Sequence, residues 1–313
     1  MAELLFLGDL RSLIEHPGLA GFPQHHVADQ AALREQASAL ATCDVLVMGG
    51  ANEVDADVLD LLPALELITV QGVGYDGVPL PYCKERGIAV TNTPDVLTDD
   101  VADLALALVL MTQRRLGEGD RFVRSGAWAE GAFPLLGNTL IDRMVGIVGL
   151  GRIGKALAAR LEACGMRIAY HGRNPQEVPY AYHRDLLDLA KACDVLVLTL
   201  PGGPDTNGLV DMKVLEALGP SGTLINVARG SVVDETALIA ALQQGRIASA
   251  GLDVFADEPH VPEALRTLDN VVLLPHLGSS TVQTRAAMAD LVVRNIHAYA
   301  EGTALPTLVP ELR

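Results

Sequence analysis

The chain has 313 residues, half of them apolar, and a formal net charge of −16; the length argues for two domains and the apolar fraction for sizeable cores. So acidic a protein offers no electrostatic footprint to nucleic acid or to an anionic membrane surface, and it must hold any small anionic substrate with local cations. The first ten residues lack the basic start of a secretory signal, no apolar run is long enough to span a bilayer, and Cys43, Cys83, Cys164 and Cys193 show no metal-type spacing. A cytoplasmic, reducing location and no structural metal are therefore expected.

In chain order, short β-branched or Leu-rich runs alternate with helical patterns, the pattern of parallel sheets covered by helices on both faces. The first predicted strands are Leu4–Leu7, Val45–Met48, Leu67–Val70 and Ile88–Thr91, with helices over Gln30–Ala41 and Leu80–Glu85. A long apolar-periodic helix follows from about Thr98 to Ser125, with Thr98 as its N-cap and Asp99 and Asp100 in its first turn. It joins the first group to a second: Val145–Val148, Arg167–His171, Val195–Thr199, Thr223–Val227, Ser249–Val254 and Val271–Leu274. A helix from about Thr281 to Ala300 then returns the chain to the first domain. The expected class is α/β.

Within the second group, Gly149-Leu150-Gly151-Arg152-Ile153-Gly154 sets G-x-G-x-x-G directly after one strand and before a helix over Lys155–Ala163. Gly149 allows the tight turn, Gly151 lets backbone N–H groups approach a pyrophosphate, and Gly154 lets the helix pack closely on the strand. The flanking strand and helix raise the triplet from an ordinary glycine-rich turn to a dinucleotide site. About 20 residues further on, an NAD site carries Asp or Glu for the ribose hydroxyls. Here the next strand ends His171-Gly172-Arg173, without a carboxylate. Gly172 leaves room for a 2′-phosphate and Arg173 can pair with it. NADPH is favoured over NADH on this reading; if Arg173 is only a solvated surface residue, NADH remains the alternative.

Three polar residues stand at or beyond the carboxyl ends of later strands, where open α/β sheets bind ligands: Arg229 in Val227-Ala228-Arg229-Gly230, Glu258 before Pro259, and His276 in Pro275-His276-Leu277-Gly278. Reducing a 2-keto acid needs a cation for the carboxylate, a proton donor for the nascent alkoxide and a carboxylate that keeps the donor protonated. Arg229, His276 and Glu258 are those three. Singly, each has a bland alternative as a helix-entry, turn or loop residue; their joint placement in one half of the chain argues against it.

These motifs, together with Gly72-Val73-Gly74-Tyr75-Asp76, the run from Thr91 to Asp103 and Gly251-Leu252-Asp253-Val254-Phe255, resemble the D-isomer-specific 2-hydroxyacid dehydrogenase family over nearly the whole chain. The resemblance implies two doubly wound parallel-sheet domains, a Rossmann cofactor domain (97–282) and a discontinuous flavodoxin-like substrate domain (1–96 and 283–313), with the active site in a cleft between them. It implies catalysis by Arg229, Glu258 and His276. Cofactor contacts are expected from Gly149 to Gly154, from His171, Gly172 and Arg173, and from Val227, Ala228, Asp253 and Gly278, with Asp253 on the nicotinamide carboxamide unless it merely caps a turn at its strand end. Val73 and Gly74 would cradle the substrate carboxylate through their N–H groups.

Within the family the likeness runs to NADPH-dependent glyoxylate and hydroxypyruvate reductases, shading into 2-ketogluconate and phenylpyruvate reductases. Formate dehydrogenases differ, with Gln where Glu258 stands. Members are usually homodimers, and Trp128 and Phe133 are candidates for pocket, interface or plain packing. An NADH-dependent D-2-hydroxyacid dehydrogenase and a nucleotide-sensing binding module of the same fold are the alternatives.

Overall fold

A parallel strand covered on both faces needs an apolar side chain at every position, and Leu4–Leu7 is buried throughout. In the computed structural model, which describes residues 2–312, this run is β1 of a five-stranded sheet. The chain divides into two compact units: residues up to Leu97 together with those from Ser280 onward, and Thr98–Ser279.

The first unit contains β1 (Leu4–Leu7), β2 (Gln24–Val27), β3 (Val45–Gly49), β4 (Leu67–Gln71) and β5 (Ala89–Thr91), all parallel, in the order β2-β1-β3-β4-β5. This is the flavodoxin-like strand order. Leu5, Leu7, Leu46, Met48 and Ile68 fill the core on one face. On the other, Leu4, Phe6, Val45 and Val47 pack against Ala289, Val292, Val293 and Ile296 of helix Val282–Ala300. That helix is capped by the Thr281 hydroxyl, which accepts from the Thr284 N–H. The tail beyond it pairs with β5: the Val309 N–H donates to the Val90 carbonyl, and buried Asn295 donates to the Thr307 hydroxyl and accepts from its N–H. Strand β2, Gln-His-His-Val, is an edge strand whose polar residues hide it from hydrophobic patterning.

The second unit contains β6 (Met144–Val148), β7 (Arg167–His171), β8 (Ala181–His183), β9 (Val195–Leu198), β10 (Thr223–Asn226), β11 (Ser249–Leu252) and β12 (Val271–Leu273). All are parallel, in the order β12-β11-β10-β9-β6-β7-β8. Counted from β6 this is the 3-2-1-4-5-6 Rossmann order with one strand added at an edge. The order reverses between β6 and β9, and ligands bind outside the carboxyl ends of the strands at such a switch point.

One prediction fails in detail. The helix expected from Thr98 to Ser125 is two helices, Thr98–Arg114 and Leu116–Arg124, because Arg115 takes a left-handed backbone with φ 53°. The Arg115 side chain fastens the break, donating to the Leu136 carbonyl at 3.1 Å and to Glu118 at 2.9 Å. The first of these helices contributes buried residues to the core, whereas Leu116–Arg124 contributes none. Trp128 lies two-thirds exposed, and Phe133 packs edge-on against Phe122 with ring centroids 5.3 Å apart.

Candidate active site

The turn after β6 is built for an anion. Gly149 has φ +96°, a conformation a side chain would strain, and its N–H donates to the His171 carbonyl. A Cβ on Gly154 would stand 2.5 Å from the Gly149 carbonyl oxygen, so only glycine lets helix Arg152–Ala163 press so close to the turn. Thr199 donates to that same carbonyl at 2.7 Å and Gln176 donates to the Leu150 carbonyl at 2.9 Å, bracing the loop. Around Gly151, the helix N-cap, a Cβ would meet nothing within 4 Å. There is room beside the helix start, whose N–H groups and positive dipole end fit a pyrophosphate.

The end of β7 lies beside this turn. The His171 ring is anchored through Nδ1, which donates to the His183 carbonyl at 3.1 Å, and Tyr182 donates to the Gly172 carbonyl at 3.1 Å. A carbonyl accepts only, so Nε2 of a neutral His171 is left without a proton and a protonated ring can donate from it. Arg173 is exposed and has no ion-pair partner among the described residues. Tyr182 and His183, on the three-residue strand β8, went unseen in the sequence because that Ala-Tyr-His run is polar and has no buried residue.

Arg229, Glu258 and His276 come from the loops after β10, β11 and β12. Buried Asn226, at the end of β10, accepts from the Ala228 N–H at 3.0 Å and donates to the Arg229 carbonyl at 2.9 Å, fixing the turn through Val227 and Ala228. The next residue must be glycine: a Cβ on Gly230 would fall 1.8 Å from the Phe255 carbonyl oxygen. That close approach brings the Arg229 turn onto the loop that carries Glu258. His276 Nδ1 and Glu258 Oε2 are 2.7 Å apart, and Glu258 Oε1 accepts from the Phe255 N–H at 3.0 Å.

Burial alone would raise the Glu258 carboxyl, but the His276 hydrogen bond and charge, the Phe255 N–H and the charge of Arg229 together outweigh it and hold the group below its ordinary value. An ionised carboxylate only accepts, so Nδ1 of His276 must carry a proton, and Nε2 is the atom left to face a reactant.

Asp253 builds the loop that presents His276. It is 1 % exposed, and its two carboxylate oxygens accept from the N–H groups of Leu277 at 2.6 Å and Gly278 at 2.9 Å, while its carbonyl accepts from the His276 N–H. These bonds hold His276 at φ 52°, a left-handed conformation that costs of order 1 kcal/mol outside glycine. Burial pushes the Asp253 carboxyl upward against the pull of those two donors. These hydrogen bonds describe a turn cap and leave further lone pairs on both carboxylate oxygens.

Val73 and Gly74 belong to the other unit, in the loop after β4. Asn92 donates to the Val73 carbonyl at 2.8 Å and the Thr93 N–H to the Gly72 carbonyl at 2.8 Å. These bonds engage the loop through its carbonyls.

A glycine turn at a Rossmann switch point and a histidine paired with a carboxylate at neighbouring strand ends define a nicotinamide-dependent dehydrogenase. The chain belongs to the D-isomer specific 2-hydroxyacid dehydrogenase family: residues 106–278 match the family's NAD binding domain. It is 52 % identical over 265 residues to the glyoxylate/hydroxypyruvate reductase A of Arabidopsis thaliana, covering 84 % of each chain. It is 46 % identical to the 2-ketogluconate reductase of Gluconobacter oxydans, over 84 % of this chain and 85 % of that one. Among solved structures, the NADPH-dependent glyoxylate/hydroxypyruvate reductase of Sinorhizobium meliloti, in complex with NADP and malonate, superposes with a TM-score of 0.94 at 44 % identity, covering 99 % of this chain and 97 % of that one. The protein is thus an oxidoreductase that uses a nicotinamide cofactor. Among the described residues, no helix is long and apolar enough to cross a membrane.

A depressed folded-state value means that Glu258 stabilises the fold fully above its unfolded value near 4.5 and loses that contribution as pH falls through the lower folded value. Denaturant unfolding of wild type and Glu258→Gln should therefore show a stability gap that narrows as pH falls below 4.5. A gap that widens on acidification would contradict the pairing.

Proposed function

We propose that the protein reduces small 2-keto acids of the glyoxylate and hydroxypyruvate kind to D-2-hydroxy acids, using NADPH. The observation that carries this reading is the hydrogen bond from His276 Nδ1 to Glu258, which commits one ring nitrogen and leaves Nε2 to deliver a proton. Bound NADPH supplies the hydride. Arg229 pairs with the substrate carboxylate and polarises the carbonyl, in a protein whose net charge of −16 otherwise repels anions. Val73 and Gly74 cradle the same carboxylate through backbone N–H groups. Protonated His276 gives its Nε2 proton to the carbonyl oxygen, while Glu258 holds Nδ1.

The glycine turn holds the pyrophosphate, with Val227, Ala228 and Gly278 beside the cofactor. Asp253 accepts from the nicotinamide carboxamide through lone pairs that its two backbone bonds leave. His171, Gly172 and Arg173 take the adenosine 2′-phosphate: no carboxylate stands at this strand end, and Arg173 is exposed to meet an incoming anion. A larger substrate of the 2-ketogluconate kind is the second reading, favoured by the Gluconobacter relative.

The protein acts in the cytoplasm as a homodimer. Leu116, Val123, Trp128, Leu136 and Ile141 are exposed apolar side chains on and after a helix that has no fully buried residue, and a second copy covers them.

Two outcomes test the assignment. His276→Ala should lower kcat for glyoxylate or hydroxypyruvate by about 10²- to 10⁴-fold, the usual range for a general acid; near-normal turnover at neutral pH would remove His276 from the chemistry. Charge-assisted hydrogen bonds are worth about 1.5–3 kcal/mol, so Arg173→Ala should raise KM for NADPH by roughly ten- to a hundredfold and leave NADH nearly untouched. Equal loss with both cofactors, or a wild type that prefers NADH, would mean that Arg173 does not read the phosphate.

A further inference from the structure

The first unit brings together three side chains that the dehydrogenase chemistry does not use. Glu3 stands just before β1, His25 lies within β2 and Cys43 just before β3, and β2, β1 and β3 are neighbours in the sheet. One ligand atom from each, a carboxylate oxygen, an imidazole nitrogen and the thiol sulfur, lies within 4.8 Å of the other two. His25 Nε2 and Glu3 Oε1 are already 2.7 Å apart. The cluster sits at the starting edge of the strands, the opposite edge of this sheet from the loop that carries Val73 and Gly74.

The donor set is selective. Hard cations take oxygen ligands, whereas one nitrogen, one oxygen and one thiolate sulfur suit a borderline-soft divalent ion. Around tetrahedral zinc, with bonds of about 2.0–2.3 Å, neighbouring donors stand about 3.3–3.6 Å apart. Shifts of about 1 Å in side-chain atoms reach that geometry from the present one.

The surrounding backbone is held firmly. The Glu3 N–H donates to Asp44 Oδ1 at 2.7 Å, and the Glu3 carbonyl accepts from the N–H groups of Asp44 and Val45. The Cys43 N–H donates to the Leu40 carbonyl. Cys43 is fully buried, while the Glu3 and His25 side chains are 26 % and 35 % exposed, so an ion enters past them and seats against the sulfur behind. Burial, with Glu3 and Asp44 nearby, pushes the Cys43 thiol up to about 11. The same carboxylates attract a cation, and a coordinated thiol gives up its proton outright.

We propose that Glu3, His25 and Cys43 form a zinc site, with water as the fourth ligand, that clips together the starts of three neighbouring strands. Three protein ligands and one open position make it an accessible, exchangeable site.

The test uses the full-length protein, reduced and freed of metal with a chelator, and Co²⁺ as a spectroscopic substitute for zinc. One equivalent of Co²⁺ should produce a sulfur-to-cobalt charge-transfer band in the near ultraviolet and visible bands of tetrahedral intensity, and one equivalent of Zn²⁺ should bleach both. Cys43→Ser should abolish the charge-transfer band, and Cys164→Ser, which alters a partly exposed cysteine outside the cluster, should retain it. His25→Gln, at an edge-strand position that tolerates polar change, should weaken Co²⁺ at least about tenfold, the loss seen when even an outer partner of a metal site is removed. Absence of the band in wild type, its survival in Cys43→Ser, its loss in Cys164→Ser, or unchanged affinity in His25→Gln would each overturn the proposal. The last reading stands even if Cys43→Ser does not fold.

Discussion

A histidine donates a proton from one chosen ring nitrogen only when its other nitrogen is already committed, and here Glu258 makes that commitment. Glu258 lies 2.7 Å from His276 Nδ1, and the site favours its ionised, accepting form against the cost of burial. Phe255 offers its N–H to the other oxygen, and Arg229 adds positive charge nearby. The pair also requires a loop that presents the ring from a left-handed backbone, and Asp253 supplies it by accepting from two successive N–H groups. The side chains that touch the histidine therefore rest on buried polar groups one step further back. Loss of either Asp253 or Asn226 would leave buried donors unsatisfied, at about 1–3 kcal/mol each.

The second constraint is charge. A protein with a net −16 has to bind an anionic cofactor, so the attraction must be local. On the proposed reading it comes from the start of helix Arg152–Ala163 and from a β7 end free of carboxylates. The same acidity has another consequence in the first unit, where Glu3 and Asp44 stand near a buried thiol and favour a cation over an anion.

Much of this was legible in the sequence, and what was missed follows a physical pattern. The buried strands announce themselves because both faces must be apolar; Leu4–Leu7 and Val195–Leu198 are buried at every position. The glycine turn is legible because Gly149 and Gly154 answer steric demands no other residue meets. Arg229, Glu258 and His276 were located by the rule that ligands sit beyond strand ends. Two edge strands escaped, β2 because it carries two histidines and β8 because its Ala-Tyr-His run has no buried residue, whereas the more apolar edge strands β5 and β12 were legible. The break at Arg115 escaped because the apolar period continues across it, and the bonds from Arg115 to Leu136 and Glu118 are not written in that period. Glu3, His25 and Cys43 escaped for a third reason. Metal-type spacing describes ligands on one local segment, whereas these three meet only because strand order puts β1 between β2 and β3.

The central claim is the protonation pattern of His276, and nuclear magnetic resonance of the protein labelled with ¹⁵N-histidine reads it directly, with His276→Gln to assign the signal. The account predicts that, at a pH where the ring is neutral, Nδ1 carries the proton, that this proton is shifted far downfield by its bond to a carboxylate, and that the shift collapses in Glu258→Gln. A neutral His276 protonated on Nε2 with Nδ1 bare, or a spectrum indifferent to Glu258→Gln, would contradict it.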